Sequence, residues 1–247
     1  VLDQSYRIPK DVYATASSII NRVGIRRQKV WNSKEEKGAV TYHTTTDSID
    51  MNNGTWLVLG RNSYLVDKVE EQCRREGLIY ERNDRKSVKE TSLSAIQNWE
   101  KLRKGESLEA TAVNKCLKFL KRKLTALPEE GMFSLQDLKN SWGVTRTDIW
   151  HDAFERMSLI ERSYLIAALR HGEKLTKTPR IRLSTIHSAK GGEADNVILF
   201  SDMANRTYKD MQKQPDNERR VFYVGVTRAK ENLHIIMPRT KFMFAEL

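Results

Sequence analysis

Only two cysteines, Cys73 and Cys116, occur in 247 residues. That is too few for a disulfide scaffold or a four-ligand zinc site, so both are expected to be core or surface thiols. No run of 18 apolar residues occurs either, which leaves a membrane span, and hence a membrane partner, unsupported. Val1-Leu2-Asp3 offers neither an initiator Met nor the apolar core of a signal peptide, so the expectation is a cytoplasmic chain that starts within a longer protein. The compact signatures of self-sufficient catalysis are missing too: no GxxxxGK(S/T) phosphate loop, no GxGxxG, no HExxH, no Cys/His metal spacing and no GxSxG elbow. No internal repeat or low-complexity segment stands out.

What is present is charge and enough apolar mass for a core. Hydrophobic residues make up 39% of the chain, which has the length of one large or two small domains. The formal net charge is +11, which favours a polyanionic partner, nucleic acid first, over an acidic protein surface or a small neutral metabolite.

Short apolar runs alternate with helical patterns. Trp56-Leu57-Val58-Leu59 reads as a strand, Tyr64 to Arg75 as a helix with Leu65, Val69 and Cys73 four apart, and Leu78-Ile79-Tyr80 as the next strand. Ile181 to Ile186 and Val197-Ile198-Leu199-Phe200 read as two buried strands flanking one polar turn. A helix is predicted from about Asp216 to Lys230, after Pro215, and a last strand over Leu233 to Met237, closed by Pro238. The fold class implied is α/β, a mostly parallel sheet with helices on its faces.

Residues 84–178 break the pattern. They contain no convincing strand and read as a helical insertion punctuated by Gly105, Pro128, Gly131, Gly143 and Gly172. Ser134-Leu135-Gln136-Asp137 is a helix start, and Asp148 to Leu169 carries Ile149, Trp150, Phe154, Met157, Ile160, Leu165 and Leu169 as expected core. Lys118, Lys121, Arg122 and Lys123 read as a solvated helix face, with a DNA contact as the other reading.

Two places stand out chemically. On the helix expected over residues 216–230, Val221, Phe222, Val224, Gly225, Val226 and Ala229 form an apolar arc into which Arg228 falls. A guanidinium there requires a fixed anion, a buried ion pair or a snorkelling side chain. The turn from Thr185 to Glu193 packs hydroxyls, an imidazole, Lys190, Gly191-Gly192 and a carboxylate between two strands. Ligands gather at the carboxyl end of a parallel sheet, and this turn suits either a phosphate or an ordinary polar connection.

The segments Gln4-Ser5-Tyr6-Arg7, Trp56 to Arg61, Thr185 to Glu193 and Glu218 to Ala229 together resemble the motifs of the second motor domain of UvrD/Rep-type superfamily 1 DNA helicases. The resemblance implies a RecA-like sheet domain formed by residues 1–83 and 179–247, with a 2B-like insertion at 84–178. It implies that Tyr6 stacks on adenine and that Arg7 and Arg228 are arginine fingers on the ATP γ-phosphate. Glu193 is similar to the ribose-binding acid, with Lys190 and Gly191 near the phosphates, while Arg61, Thr185 and His187 match positions that contact single-stranded DNA. Departures fall at Ser5, Ser63, Gly192, Ala194 and Asn217.

The phosphate-loop Lys and the Mg2+-binding acidic pair of such a motor belong to the first motor domain, so ATP with Mg2+ would be shared with that domain as partner. The DNA partner implied is single-stranded DNA and single-strand/duplex junctions, the setting a bacterial or phage cytoplasm. The fragment alone is expected to have no ATPase. The rivals are a degenerate DNA-binding domain and part of a helicase-nuclease.

Overall fold

The computed structural model describes residues 5–27, 31–120, 127–189 and 191–247. In chain order these form α1 (Lys10–Ile20), β1 (Ala39–His43), β2 (Trp56–Gly60), a 3-10 turn (Ser63–Val66), α2 (Asp67–Glu76), β3 (Tyr80–Arg82) and β4 (Arg85–Lys86). Then come α3 (Glu90–Arg103), β5 (Leu108–Glu109), α4 (Ala110–Leu117), β6 (Met132–Phe133), α5 (Leu135–Trp142), α6 (Trp150–Ala153) and α7 (Leu159–Arg170). The chain closes with β7 (Ile181–Thr185), β8 (Ala194–Phe200), α8 (Asn205–Lys213), α9 (Pro215–Val226) and β9 (Ala229–Ile236).

Two compact units result. One takes in the chain up to Cys73, Tyr80–Arg85 and Pro179–Leu247; the other takes in Arg74–Ile79 and Lys86–Thr178. The first is an α/β unit of RecA-like type around a seven-stranded sheet of order β1-β9-β8-β2-β7-β3-β4. The pairs from β1 to β3 are parallel, and Val58 in β2 sits level with both Leu183 of β7 and Ile198 of β8. Every residue of β2 is buried, the pattern of a strand covered on both faces. One face carries Leu57, Leu59, Val197, Leu199, Leu233 and Ile235, packed with Val12, Ala16 and Ile19 of α1 and with Phe222 and Val226 of α9. Gly225 keeps α9 close: a Cβ there would lie 3.1 Å from a Leu199 methyl. Pro215 opens α9, with Asp216 and Glu218 in its first turn, where the helix dipole favours carboxylates.

The second unit is largely helical, with Cys116 buried, as is Cys73 of the first unit. Its α5 begins with the anticipated signal: Ser134 and Asp137 cap each other reciprocally, and Gly143 ends the helix in the left-handed region at φ 68°. Three two-residue strands lie in a stretch expected to have none; β5 pairs antiparallel with β6. The periodicity over Asp148 to Leu169 divides into α6 and α7, because the Ser158 hydroxyl caps a new helix by accepting from the Glu161 amide at 3.2 Å. Trp150, Phe154, Met157 and Leu165 are buried, whereas Ile149, Ile160 and Leu169 are exposed rather than core. Of the basic cluster, Lys118 is an exposed residue at the end of α4, and Lys121, Arg122 and Lys123 lie outside the described residues.

Leu78 and Ile79 are buried without being strand and fall in the second unit, so β3 takes only Tyr80 from that run. The anticipated helix ends at Val226, not Lys230, and β9 begins four residues before Leu233. Pairing overrides local polarity here: Ala194 meets Ala229, and Asn196 meets Asn232, so β8 draws Lys230, Glu231 and Asn232 into the ladder.

Candidate functional site

Because β7, β2 and β8 are parallel, Thr185 stands at the carboxyl edge of the sheet and Ala194 at its amino edge. The segment between them, 186–193, therefore crosses from one edge to the other. The expectation that the whole turn sits at the carboxyl end is thus corrected: Thr185 opens the crossing at that edge, and Glu193 adjoins the opposite one. Ile186 and Ala189 anchor the crossing in the core. Lys190 lies outside the described residues, and Gly191 is exposed at φ 81°, in the left-handed region, with no other group within 4 Å of where a Cβ would stand.

At the amino edge, Arg7 and Lys230 clasp Glu193. Arg7 Nη1 donates to Oε2 at 2.8 Å and Lys230 Nζ lies 3.0 Å from Oε1, so each carboxylate oxygen has its own cation. Those bonds, Arg7's foremost, hold the Glu193 carboxyl below the ordinary carboxylate range. Arg182 donates to the Glu193 backbone carbonyl at 2.9 Å. Arg228 is half-buried in the turn between α9 and β9 and donates to the Val224 carbonyl at 3.0 Å and the Gly192 carbonyl at 3.3 Å. Among the described residues no carboxylate lies within ion-pair distance of it. Burial first, and Arg7 second, push its pKa below the ordinary arginine value, the mark of a cation that a further anion would relieve. The helical-arc argument for Arg228 fails because α9 stops two residues earlier; its burial arises from the turn instead. Tyr6 is 87% exposed, a bare ring beside this cluster in sequence.

The carboxyl edge is differently made. Arg61, directly after β2, forks onto Glu218 of α9, with Nε to Oε2 at 2.6 Å and Nη2 to Oε1 at 2.8 Å. Both are mostly enclosed, at 19% and 8% side-chain exposure. The Thr185 hydroxyl accepts the Ser188 amide at 3.2 Å and lies 3.0 Å from the Ser188 hydroxyl, so it caps the first turn of the crossing. His187 is exposed within that turn. The structure thus brings Arg7, Arg228, Glu193 and Gly191 to one edge, and Arg61, Thr185 and His187 to the other.

Three participants escaped the sequence reading: Lys230, Arg182 and Glu218. Glu218 had a readable signal, since it precedes Phe222 by four and Gly225 by seven and so lies on the core stripe of α9. It, rather than Arg228, is the misplaced charge of that helix. Arg219 of α9 is bound by Glu246 and Asp216. Among the described residues no three His, Cys, Asp or Glu stand together as a metal site. No helix among them is long and apolar enough to cross a membrane.

Residues 132–240 match the family model described as the UvrD-like helicase C-terminal domain. The chain is 32% identical over 104 residues to DNA helicase II of Rickettsia typhi, covering 39% of this chain and 15% of that protein. It is 28% identical over 124 residues to DNA helicase II of Salmonella typhimurium, covering 48% and 17% respectively. With DNA helicase II of Escherichia coli K12 the figures are 27% over 124 residues, 48% and 17%. The matched region is thus less than a fifth of the length of these curated relatives.

Proposed function

Because the chain carries the C-terminal domain of a UvrD-like helicase, we propose that it is the second motor half of an ATP-dependent DNA helicase or translocase. Residues 1–83 and 179–247 form that motor domain, and 84–178 its 2B-like inserted subdomain. The ATP lies at the amino edge, completed by a first motor domain that brings the phosphate loop and the Mg2+ ligands. Tyr6 stacks on adenine, Glu193 holds the ribose, Lys190 and Gly191 lie near the phosphates, and Arg7 and Arg228 act on the γ-phosphate. Single-stranded DNA, continuing into single-strand/duplex junctions, passes along the carboxyl edge by Arg61, Thr185 and His187. The Glu218 fork engages two of the five N–H donors of Arg61 and leaves the others for a phosphate. The setting is the cytoplasm.

The observation that carries this reading is Arg228: half-buried, beside Arg7, and satisfied only by carbonyls. A developing negative charge on a transferring phosphoryl group is what such a cation would stabilise. In the full-length protein, Arg228→Ala is expected to lower kcat by about 10³- to 10⁵-fold while nucleotide binding persists, because a finger acts mainly in the transition state. Arg228→Lys is expected not to restore it, since an ammonium lacks the planar fork. Steady-state ATPase assays with a parallel nucleotide titration check this, and a loss below about tenfold would reduce Arg228 to a structural residue.

A further inference from the structure

The sheet face turned away from α1 and α9 holds a pair of imidazoles to which neither the nucleotide site nor the DNA track gives a role. Leu233 and Ile235 of β9 pack toward those helices, so His234 between them faces the other way. β1 runs parallel beside β9, with Thr41 level with His234 and His43 two residues on, on the same face as Thr41. Folding thus joins residues 191 positions apart, a pairing that no local spacing announces: His43 Nε2 lies 3.2 Å from His234 Nδ1. The Thr41 hydroxyl lies 3.0 Å from each of those nitrogens, so three donor atoms form a nearly equilateral triangle.

The triangle has the dimensions of one face of a coordination tetrahedron. Ligands about 2.0 Å from a tetrahedral ion stand about 3.3 Å from one another. The Ser48 hydroxyl lies 3.4 Å from His43 Nδ1, and by accepting that N–H it leaves the Nε2 lone pair for the triangle. Trp56 stacks on His234 with ring centroids 5.3 Å apart and 29° between planes, which fixes that ring. Burial, and then His43, lower the His234 pKa to about 4, so at neutral pH the imidazole is uncharged, the form that ligates. Both rings are half-buried and Thr41 is exposed, so the triangle is reached from solvent.

We propose that Thr41, His43 and His234 form a binding site for a transition-metal ion of the Zn2+ class, which ties the edge strand β1 to β9. The two imidazoles carry the affinity, the Thr41 hydroxyl is a weak neutral third ligand, and water takes the fourth position. On binding, the imidazoles give up their mutual hydrogen bond, and the His234 ring proton resides on Nε2. Mg2+ prefers oxygen ligands in octahedral geometry, so the site does not compete for the metal that accompanies ATP. β1 pairs on one side only and has no fully buried residue, and the ion supplies to it a tether that packing does not.

The test titrates the chelator-treated 247-residue chain with ZnCl2 by calorimetry and with CoCl2 by visible absorption, in which four-coordinate Co2+ is far more intense than the aqueous ion. One saturable site with a Kd below about 0.1 mM is expected, and MgCl2 should give none. His43→Ala and His234→Ala should each weaken Zn2+ binding more than about tenfold, Thr41→Val less, and His171→Ala, at an exposed histidine, not at all. Zn2+ should raise the urea midpoint of the unaltered chain but not that of His43→Ala. Circular dichroism establishes that the variants fold; if a histidine variant does not, the ring NMR signals of the unaltered chain decide, those of His43 and His234 shifting with Zn2+ before those of the other three histidines. Absence of a saturable site, binding that survives both alanine variants, or other histidines shifting first overturns the proposal.

Discussion

Arg61 and Arg228 lie at opposite edges of one sheet and solve the same problem in opposite ways. Arg61 meets a carboxylate whose two oxygens match its fork, and the pair is nearly sealed from water. Arg228, also half-buried, finds only carbonyls, and its nearest charged influences are another arginine and a glutamate already divided between two cations. The contrast teaches where this unit is complete and where it is not. The carboxyl edge is internally neutralised around Arg61, whereas at the amino edge Arg228 has no carboxylate within ion-pair distance among the described residues.

The largest expected effect is the loss of turnover on Arg228→Ala, since it removes the uncompensated cation itself. Next comes the sealed pair: Glu218→Ala would leave Arg61 enclosed without its carboxylate, at a cost of about 3–5 kcal/mol. Urea denaturation of the chain measures it, and replacing both partners at once, as Arg61→Met with Glu218→Leu, should recover most of the loss. If Glu218→Ala costs no more than an exposed pair does, the difference between the edges collapses. Thr185→Val removes the hydroxyl that accepts the Ser188 amide and should cost about 1 kcal/mol, the usual value of a helix cap.

The smallest effect belongs to Glu193, about a third exposed, for which Glu193→Gln should cost less than about 1 kcal/mol. Its sign with pH is fixed. The folded carboxyl titrates below its unfolded value, so the unfolded chain binds the proton first and stability falls as pH drops below about 4. The contribution is fully present above the unfolded value and vanishes once pH passes below the folded one. Comparing the acid limbs of the parent and Glu193→Gln stability profiles checks this, and identical limbs would detach the Arg7–Glu193–Lys230 cluster from stability altogether.

The parts of this architecture that sequence exposes are those whose residues need no distant partner to explain them. The runs 56–59 and 197–200 are continuous and apolar because both faces of the sheet are covered, so they read as strands unaided. β1 is an edge strand, Ala39–His43, with no fully buried residue, and nothing in its pattern separated it from a loop. The first half of β9, Ala-Lys-Glu-Asn, is strand because β8 pairs with it, an interaction across more than thirty residues. α1 went unread although Val12, Ala16 and Ile19 are spaced as a helical stripe. At the candidate site, motif resemblance supplied Arg7, Glu193 and Arg228, but the clasp by Lys230 and the fork on Arg61 depend on residues brought together only by folding.

The crossing from β7 to β8 also has a mechanical meaning. Eight residues, 186–193, lead back across the sheet from one edge to the other, a distance of about five strand residues or ~16 Å. Part of their reach is spent in the turn that Thr185 caps, with the Ala189 amide bonded to the Thr185 carbonyl and the Gly192 amide to the Ala189 carbonyl. Little slack remains, and the two core anchors divide what there is. A ligand that displaced Thr185 would load the segment that ends at Glu193 to the extent that the core anchors Ile186 and Ala189 gave way. Any free energy so exchanged is reciprocal: if occupancy of one edge changes affinity at the other, the second must change the first by the same factor.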